Sequence, residues 1–105
     1  MELVFHPAAR EEALEGYLYY GSEDDELAQD FERKINQMLD LIAREPELFR
    51  VRRYGVRRAN LPLFKEQYIA YMLWKNKIVV IAIGHAKRRP FYWYQRPKQH
   101  RESKE

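Results

Sequence analysis

The chain has 105 residues, enough for one domain with a modest core, and carries 16 acidic and 19 basic side chains for a formal net charge of +3. It has no cysteine, which excludes disulfides, cysteine-ligated zinc and thiol nucleophiles and suits a reducing cytoplasm. No apolar run approaches the roughly 20 residues needed to cross a bilayer, and the start Met1-Glu-Leu-Val-Phe5 lacks the basic-then-apolar order of a secretory signal.

Leu3-Val-Phe5 reads as a short first strand. Pro7 suits the first turn of a helix, where its missing N–H costs nothing. That helix runs through Ala8, Ala9, Ala13, Leu14, Tyr17 and Leu18 at helical spacing, with Glu11 and Glu12 near its dipole-favoured N-terminal end. Gly21 is its expected stop. Ser22 reads as the N-cap of a second helix, with Asp25 completing an approximate capping box in place of Glu or Gln. Leu27, Ala28, Phe31, Ile35, Met38, Leu39, Ile42 and Ala43 form one apolar stripe over about five turns, closed by Pro46. The acidic run Glu23-Asp-Asp-Glu26 is a solvated helix start rather than a metal site.

The second half changes period. Phe49 to Tyr54 and Val56 to Phe64 read as strands around a turn at Gly55. Ala59, Leu61 and Leu63 alternate with Arg58, Asn60 and Pro62, which places one face on the core. Pro62 marks a strand edge or an irregularity. Tyr68 to Trp74 is a third run, rich in residues that favour strands. Lys75-Asn-Lys77 is a tight turn, and Ile78 to Ile83, apolar on both faces, is the central strand. The expected fold is α+β: a short N-terminal strand and a two-helix hairpin packed on one face of a mainly antiparallel sheet of four to five strands. Residues 1–96 form this single domain, and residues 97–105 are expected as a polar, basic, flexible tail. The helix pair covers one face of the sheet. The other is expected to be open, with Arg52, Arg58 and the segment from His85 to Arg96 near it.

Charge divides along the same line. Residues 1–48 hold thirteen acidic and four basic side chains, whereas residues 49–105 hold three acidic and fifteen basic. The basic half suits nucleic acid or an acidic protein. Its densest part is His85-Ala-Lys-Arg-Arg-Pro-Phe-Tyr-Trp-Tyr-Gln-Arg96, delivered by the central strand. Cations there can grip phosphates or carboxylates, and aromatic rings can stack on bases or anchor an interface.

Four stretches resemble the RelE/ParE superfamily, the toxins of type II toxin–antitoxin modules, over nearly the whole chain up to about Arg96. They are Phe5-His-Pro-Ala-Ala-Arg-Glu-Glu-Ala-Leu14, Val56-Arg-Arg58, Tyr68-Ile-Ala-Tyr71 and Ile81-Ala-Ile-Gly-His-Ala-Lys-Arg-Arg-Pro-Phe-Tyr-Trp93. The last is the most specific, being similar to the His-x-x-Arg-x-Pro-x-Tyr-Trp ending of ParE-like members. The resemblance implies a compact toxin that arrests growth and is neutralised by a cognate antitoxin wrapped around it. RelE-like members cut mRNA on the ribosome, and ParE-like members inhibit DNA gyrase.

The residues bear on both mechanisms. Metal-free RNA cleavage needs a base, an acid and cations for the phosphorane. His85 and Tyr92 could move protons, with Arg88 as the cation of the catalytic set. Arg58, Lys87 and Arg89 could neutralise phosphate, and Tyr68 and Trp93 could stack on a base. Two departures weaken that reading. RelE-type nucleases carry an arginine where this chain has Tyr68. The one acid between Phe49 and Arg101 is Glu66, in an expected turn, where related nucleases have a glutamate base on the sheet. His85 also reads as a strand-end imidazole bonded to backbone, and Tyr92 and Trp93 as packing groups.

A binding toxin asks less: Arg58, Tyr68, Lys87, Arg88, Arg89 and Trp93 form a basic, aromatic grip with no pKa tuning. That reading, a ParE-like gyrase inhibitor, is favoured; an mRNA endonuclease is the alternative, and a member without toxicity is a third. Tyr17, Tyr20 and Tyr71 are candidates for a trough that receives an antitoxin helix, and an acidic antitoxin segment could neutralise Arg58, Arg88 and Arg89. His6, His85 and His100 are too scattered for a metal site, and no cofactor motif is found.

Overall fold

Two long antiparallel strands, β3 (Gln67–Trp74) and β4 (Lys77–His85), form the middle of the sheet in a computed structural model that describes residues 1–103. Lys75 and Asn76 join them, both with positive φ (50° and 62°), the twist a two-residue hairpin requires. β1 (Glu2–Phe5) runs parallel to β4, and β2 (Arg57–Asn60) pairs antiparallel with β3, giving the order β1-β4-β3-β2. The fold is α+β with a four-stranded mixed sheet, as the resemblance implied. No helix among the described residues is long and apolar enough to cross a membrane.

The helices follow the expected order with one change of cap. α1 (Pro7–Gly21) starts at His6, whose Nδ1 accepts the Ala8 N–H. Gly21 stays helical, so Ser22 caps the C-terminus of α1, and its Oγ donates to the Tyr19 carbonyl. The chain turns extended only at Asp24, which accepts the Glu26 N–H and is the N-cap of α2 (Asp25–Arg44). The expected Ser22–Asp25 capping box therefore does not form.

Phe31, Ile35 and Ile42 of α2 and Ala9 of α1 pack on Ile69, Tyr71, Ile78 and Val80 of the sheet. Gly16 lets the two helices approach: a Cβ there would stand 2.6 Å from the Phe31 ring. The opposite face carries a second core of Val56, Tyr68, Ala70, Met72, Val79, Ile81 and Trp93, so the expectation of an open face is corrected. The reason is in β3 and β4 themselves, which are apolar on both sides, so the segment after β4 folds back to cover what the helices leave bare. A bulge serves both cores. Ala82 pairs with Ala70 and Val80 with Tyr71, leaving Ile81 as the extra residue. Ile81 and Ala82 then both face the second core, while Val80 and Ile83 face the helices.

Elsewhere the strands are shorter than the sequence suggested. The expected strand from Phe49 to Tyr54 reduces to one bridge, Val51 to Arg57, and a 3-10 turn at Arg53–Gly55. Tyr54 and Gly55 adopt positive φ there (63° and 69°). β2 ends at Asn60 because Pro62 cannot donate to a ladder. Leu63, expected on the core face, sits in the turn at φ 69° and is 77 % exposed. The expected tail instead forms a helix, α3 (Arg96–Glu102), begun by Pro97, which is itself buried. Its last two residues, Lys104 and Glu105, lie outside the described residues.

Gly84 gives a direct test of the second core. A Cβ at this position would lie 2.2 Å from the ring of Tyr68, its partner across the ladder, and that ring is buried. Gly84→Ala is expected to lower stability by about 1–3 kcal/mol, measured by urea unfolding. An unchanged midpoint would show that Tyr68 is free to move aside.

Candidate functional site

β1 stops at Phe5, opposite Val80, so the rest of β4 has no strand beside it on that edge. Side chains complete the edge. Glu12 of α1 accepts the Ile83 backbone N–H at 3.1 Å, and Arg96 donates to the Ile81 carbonyl at 3.1 Å. An unpaired buried backbone group costs about as much as a lost hydrogen bond, so both contacts stabilise the strand end.

The two side chains also bond each other. Arg96 places Nη1 2.8 Å from Glu12 Oε1 and Nη2 3.1 Å from Oε2, a two-pronged ion pair with side chains 15 % and 8 % exposed. Tyr92 donates its hydroxyl to Glu12 Oε2 at 2.6 Å, and Arg88 reaches the same oxygen at 3.2 Å. Burial first, and then the bond to Glu12, pushes the Tyr92 hydroxyl far above the ordinary tyrosine range. Burial works against the charge on Arg96, but Glu12 outweighs it and the guanidinium is held more firmly protonated. Arg88 stacks on the Tyr92 ring at 3.8 Å from its centroid. One carboxylate thus fixes α1, β4 and the segment after β4 together.

Across the sheet from Glu12 lies a cleft of about 110 Å³, lined by Arg52, Arg58, Arg88 and His85 with Val56, Phe91 and Trp93 among its walls. Arg58 lies 3.8 Å over the Tyr68 ring and donates Nε to Asn60. Trp93 donates its indole N–H to the Tyr68 hydroxyl at 3.1 Å, and both residues are 4 % exposed. His85 accepts the Lys87 backbone N–H on Nδ1, and its Nε2 lies 3.4 Å from Glu66 Oε2. Lys87 approaches the same carboxylate at 3.7 Å.

Arg58, Tyr68, His85, Arg88 and Trp93 therefore meet at one cleft, but they are not equally available. Tyr68 and Trp93 are walls with their polar atoms bonded to each other. Tyr92 lies on the Glu12 side and does not line the cleft. Lys87 is exposed beside it, and Arg89 borders a separate hollow with Arg53, Tyr54 and Phe91. Of the three tyrosines considered for an antitoxin trough, Tyr17 lines a groove between α1 and α2. Tyr20 packs on Phe31 and Phe64, and Tyr71 is fully buried with its hydroxyl donated to the Pro46 carbonyl. Tyr71 is therefore core, and the trough as first drawn is corrected.

Sequence reasoning missed Glu12 as an organiser and Arg96 as its partner. A signal was present: Ala9, Glu12 and Gly16 share one helix face, and a carboxylate among residues small enough for close packing calls for a buried cation. Among the described residues no group of three or more His, Asp or Glu side chains is placed to hold a metal ion.

A family model described as the ParE toxin of the type II toxin–antitoxin system, parDE, matches residues 3–90. The match spans Glu12 and the cleft residues Arg58, Tyr68, His85 and Arg88, and ends before Tyr92, Trp93 and Arg96. No curated protein matches the chain.

The Tyr92 environment has a pH signature. Its folded pKa lies above its unfolded one, so the folded state keeps a proton that the unfolded state loses. The associated stability is complete below about pH 10 and is lost as pH rises through the folded value. Burial shifts Tyr71 in the same direction. In an ultraviolet titration, Tyr71 and Tyr92 are expected to ionise late, together with unfolding, and Tyr92→Phe should remove one late-ionising group. A late phase that Tyr92→Phe leaves unchanged would contradict the geometry.

Proposed function

The chain belongs to the ParE toxin family of type II toxin–antitoxin systems, and from that premise we propose that it arrests growth by binding DNA gyrase, not by cutting mRNA. As a member it is the toxin component of its module, with a cognate antitoxin as partner. What the finer reading adds is the target and the manner of attack.

The observation that carries the proposal is the engagement of Tyr92 and Arg88 by Glu12. A general acid or base works best with a pKa near the operating pH, and Tyr92 is displaced far upward with its proton committed to a carboxylate. His85 has its Nδ1 lone pair on the Lys87 N–H and its Nε2 toward Glu66. The Tyr68 ring, which occupies the place of a nuclease arginine, lies under Arg58 and is bonded to Trp93. The cleft therefore presents fixed positive charge rather than a proton-transfer pair. Fixed charge recognises a partner; it does not by itself break a bond. The nuclease alternative retains one supporting observation, His85 on the cleft wall beside Arg58 and Arg88.

Antitoxin contact is proposed for the outer face of α1. Leu14, Leu18 and Tyr19 are about 60 % exposed there, beside the groove that Tyr17 and Leu39 line. An amphipathic segment laid on this face would bury side chains that the toxin alone leaves in water.

The chain expressed alone should block gyrase supercoiling and leave translated mRNA intact in primer extension. Codon-positioned cuts that require ribosomes and disappear in His85→Ala would instead establish the nuclease. Growth unaffected by well-folded protein would remove both mechanisms.

A further inference from the structure

The cleft lining holds more cations than counter-ions: Arg88 is paired with Glu12 and His85 lies near Glu66, whereas Arg52 and Arg58 have no carboxylate partner among the described residues. Arg52, Arg58 and Arg88 line it together with His85, and no carboxylate belongs to its lining among the described residues. The Arg52 side chain has no hydrogen bond or ion pair among the described residues. Arg58 uses only Nε, on Asn60, and Arg88 only Nη1, on Glu12, so the other donors of both remain uncommitted. Glu12 partly offsets Arg88, but Arg52 and Arg58 keep unbalanced positive charge around so small a space, which an anion seated there would neutralise. Guanidinium forks match the paired oxygens of a phosphate group.

The aromatic residues decide which phosphate. Single-strand binders stack bases on open rings. Here Arg58 covers the Tyr68 ring, Arg53 lies over Phe91, and Trp93 is 4 % exposed. Contact with a nucleic acid inside the cleft is therefore contact with its backbone, which fixes position and carries no base sequence. Exposed Lys87 and Arg89 extend the positive surface beyond the cleft.

We propose that this cleft seats a phosphodiester group of duplex DNA, held by Arg52, Arg58 and Arg88 and read by charge alone. The inference deepens the gyrase reading and rests on it: the toxin would meet the enzyme's DNA as well as its protein surface. Glu12 has a positioning role in it, because it anchors Arg88 from behind while Tyr92 supports the same guanidinium by stacking.

The test is fluorescence anisotropy of the full chain with a short labelled duplex over a salt series. Wild-type protein is expected to bind with an affinity that falls steeply with salt. The Arg52→Gln/Arg58→Gln variant should bind more weakly, with a log–log salt slope shallower by about two, roughly 0.9 for each lost phosphate contact. Arg33→Gln, on α2 and paired with Asp30, should match wild type. Circular dichroism checks the fold; if the double variant is unfolded, Arg52→Gln alone should lower the slope by about one. The proposal is overturned by no duplex binding at low salt or by an unchanged slope in folded variants. Tighter binding of single strand would overturn it too, as would displacement by polyglutamate more readily than by unlabelled duplex, which would mark an acidic-protein site. Supercoiling inhibition without duplex binding would overturn this inference and leave the gyrase reading; duplex binding without inhibition would do the reverse.

Discussion

A single buried carboxylate sets the arrangement of everything that gives this toxin its distinctive surface. Glu12 projects from α1 to the edge of β4 where β1 has ended, and its pairing with Arg96 supplies the hydrogen bonds a fifth strand would have made. Burying two charges is costly, and their mutual attraction repays that cost only when geometry and remaining hydrogen bonds are good. Here both carboxylate oxygens accept more than one donor, which meets that condition. The C-terminal segment then lies across the second face of the sheet, with Trp93 as its plug and Pro97 as the start of its helix.

This constraint links fold to function. Held by Glu12, the segment after β4 turns one set of side chains inward and leaves another outward. Tyr92 and Arg96 become structure. Arg88 is shared, anchored from behind yet lining the cleft. Residues that look alike in sequence, a tyrosine and several arginines close together, thereby divide into a supporting layer and a contacting layer. A reading that treats them all as catalytic overlooks that division. The chemistry left at the surface is positive charge of fixed position, which suits a toxin that acts by holding its target.

Much of the fold could be read from residue patterns. The apolar stripe of α2, Pro7 at the start of α1, the Lys75–Asn76 turn and the two-faced apolarity of β4 all act over short range, and each determined its element. What could not be read depended on contacts distant in sequence. The edge contact between Glu12 and Ile83 spans the domain, and so does its bond to Arg96. The second core was implied by the apolarity of β4 on both faces, yet the cationic and aromatic character of the segment from His85 to Arg96 suggested a contact surface and masked Trp93 as its cover. Tyr71 looked like a groove residue because a tyrosine is amphipathic, but its hydroxyl finds the Pro46 carbonyl and the ring is buried whole. At the site, the cluster of Arg58, Tyr68, His85, Arg88 and Trp93 was visible by residue type; which of them were walls was not.

The central claim is that Glu12 and Arg96 act as one unit. A double-mutant cycle of Glu12→Leu and Arg96→Met on the unfolding free energy tests it most directly. Glu12→Leu strands the buried Arg96 guanidinium, and Arg96→Met leaves Glu12 with only the half-exposed Arg88 as counter-ion. Each should cost about 3–5 kcal/mol, while the double variant, with both buried charges gone, should be more stable than either single one. Costs that simply add, so that the double variant is the least stable of the set, would contradict the account.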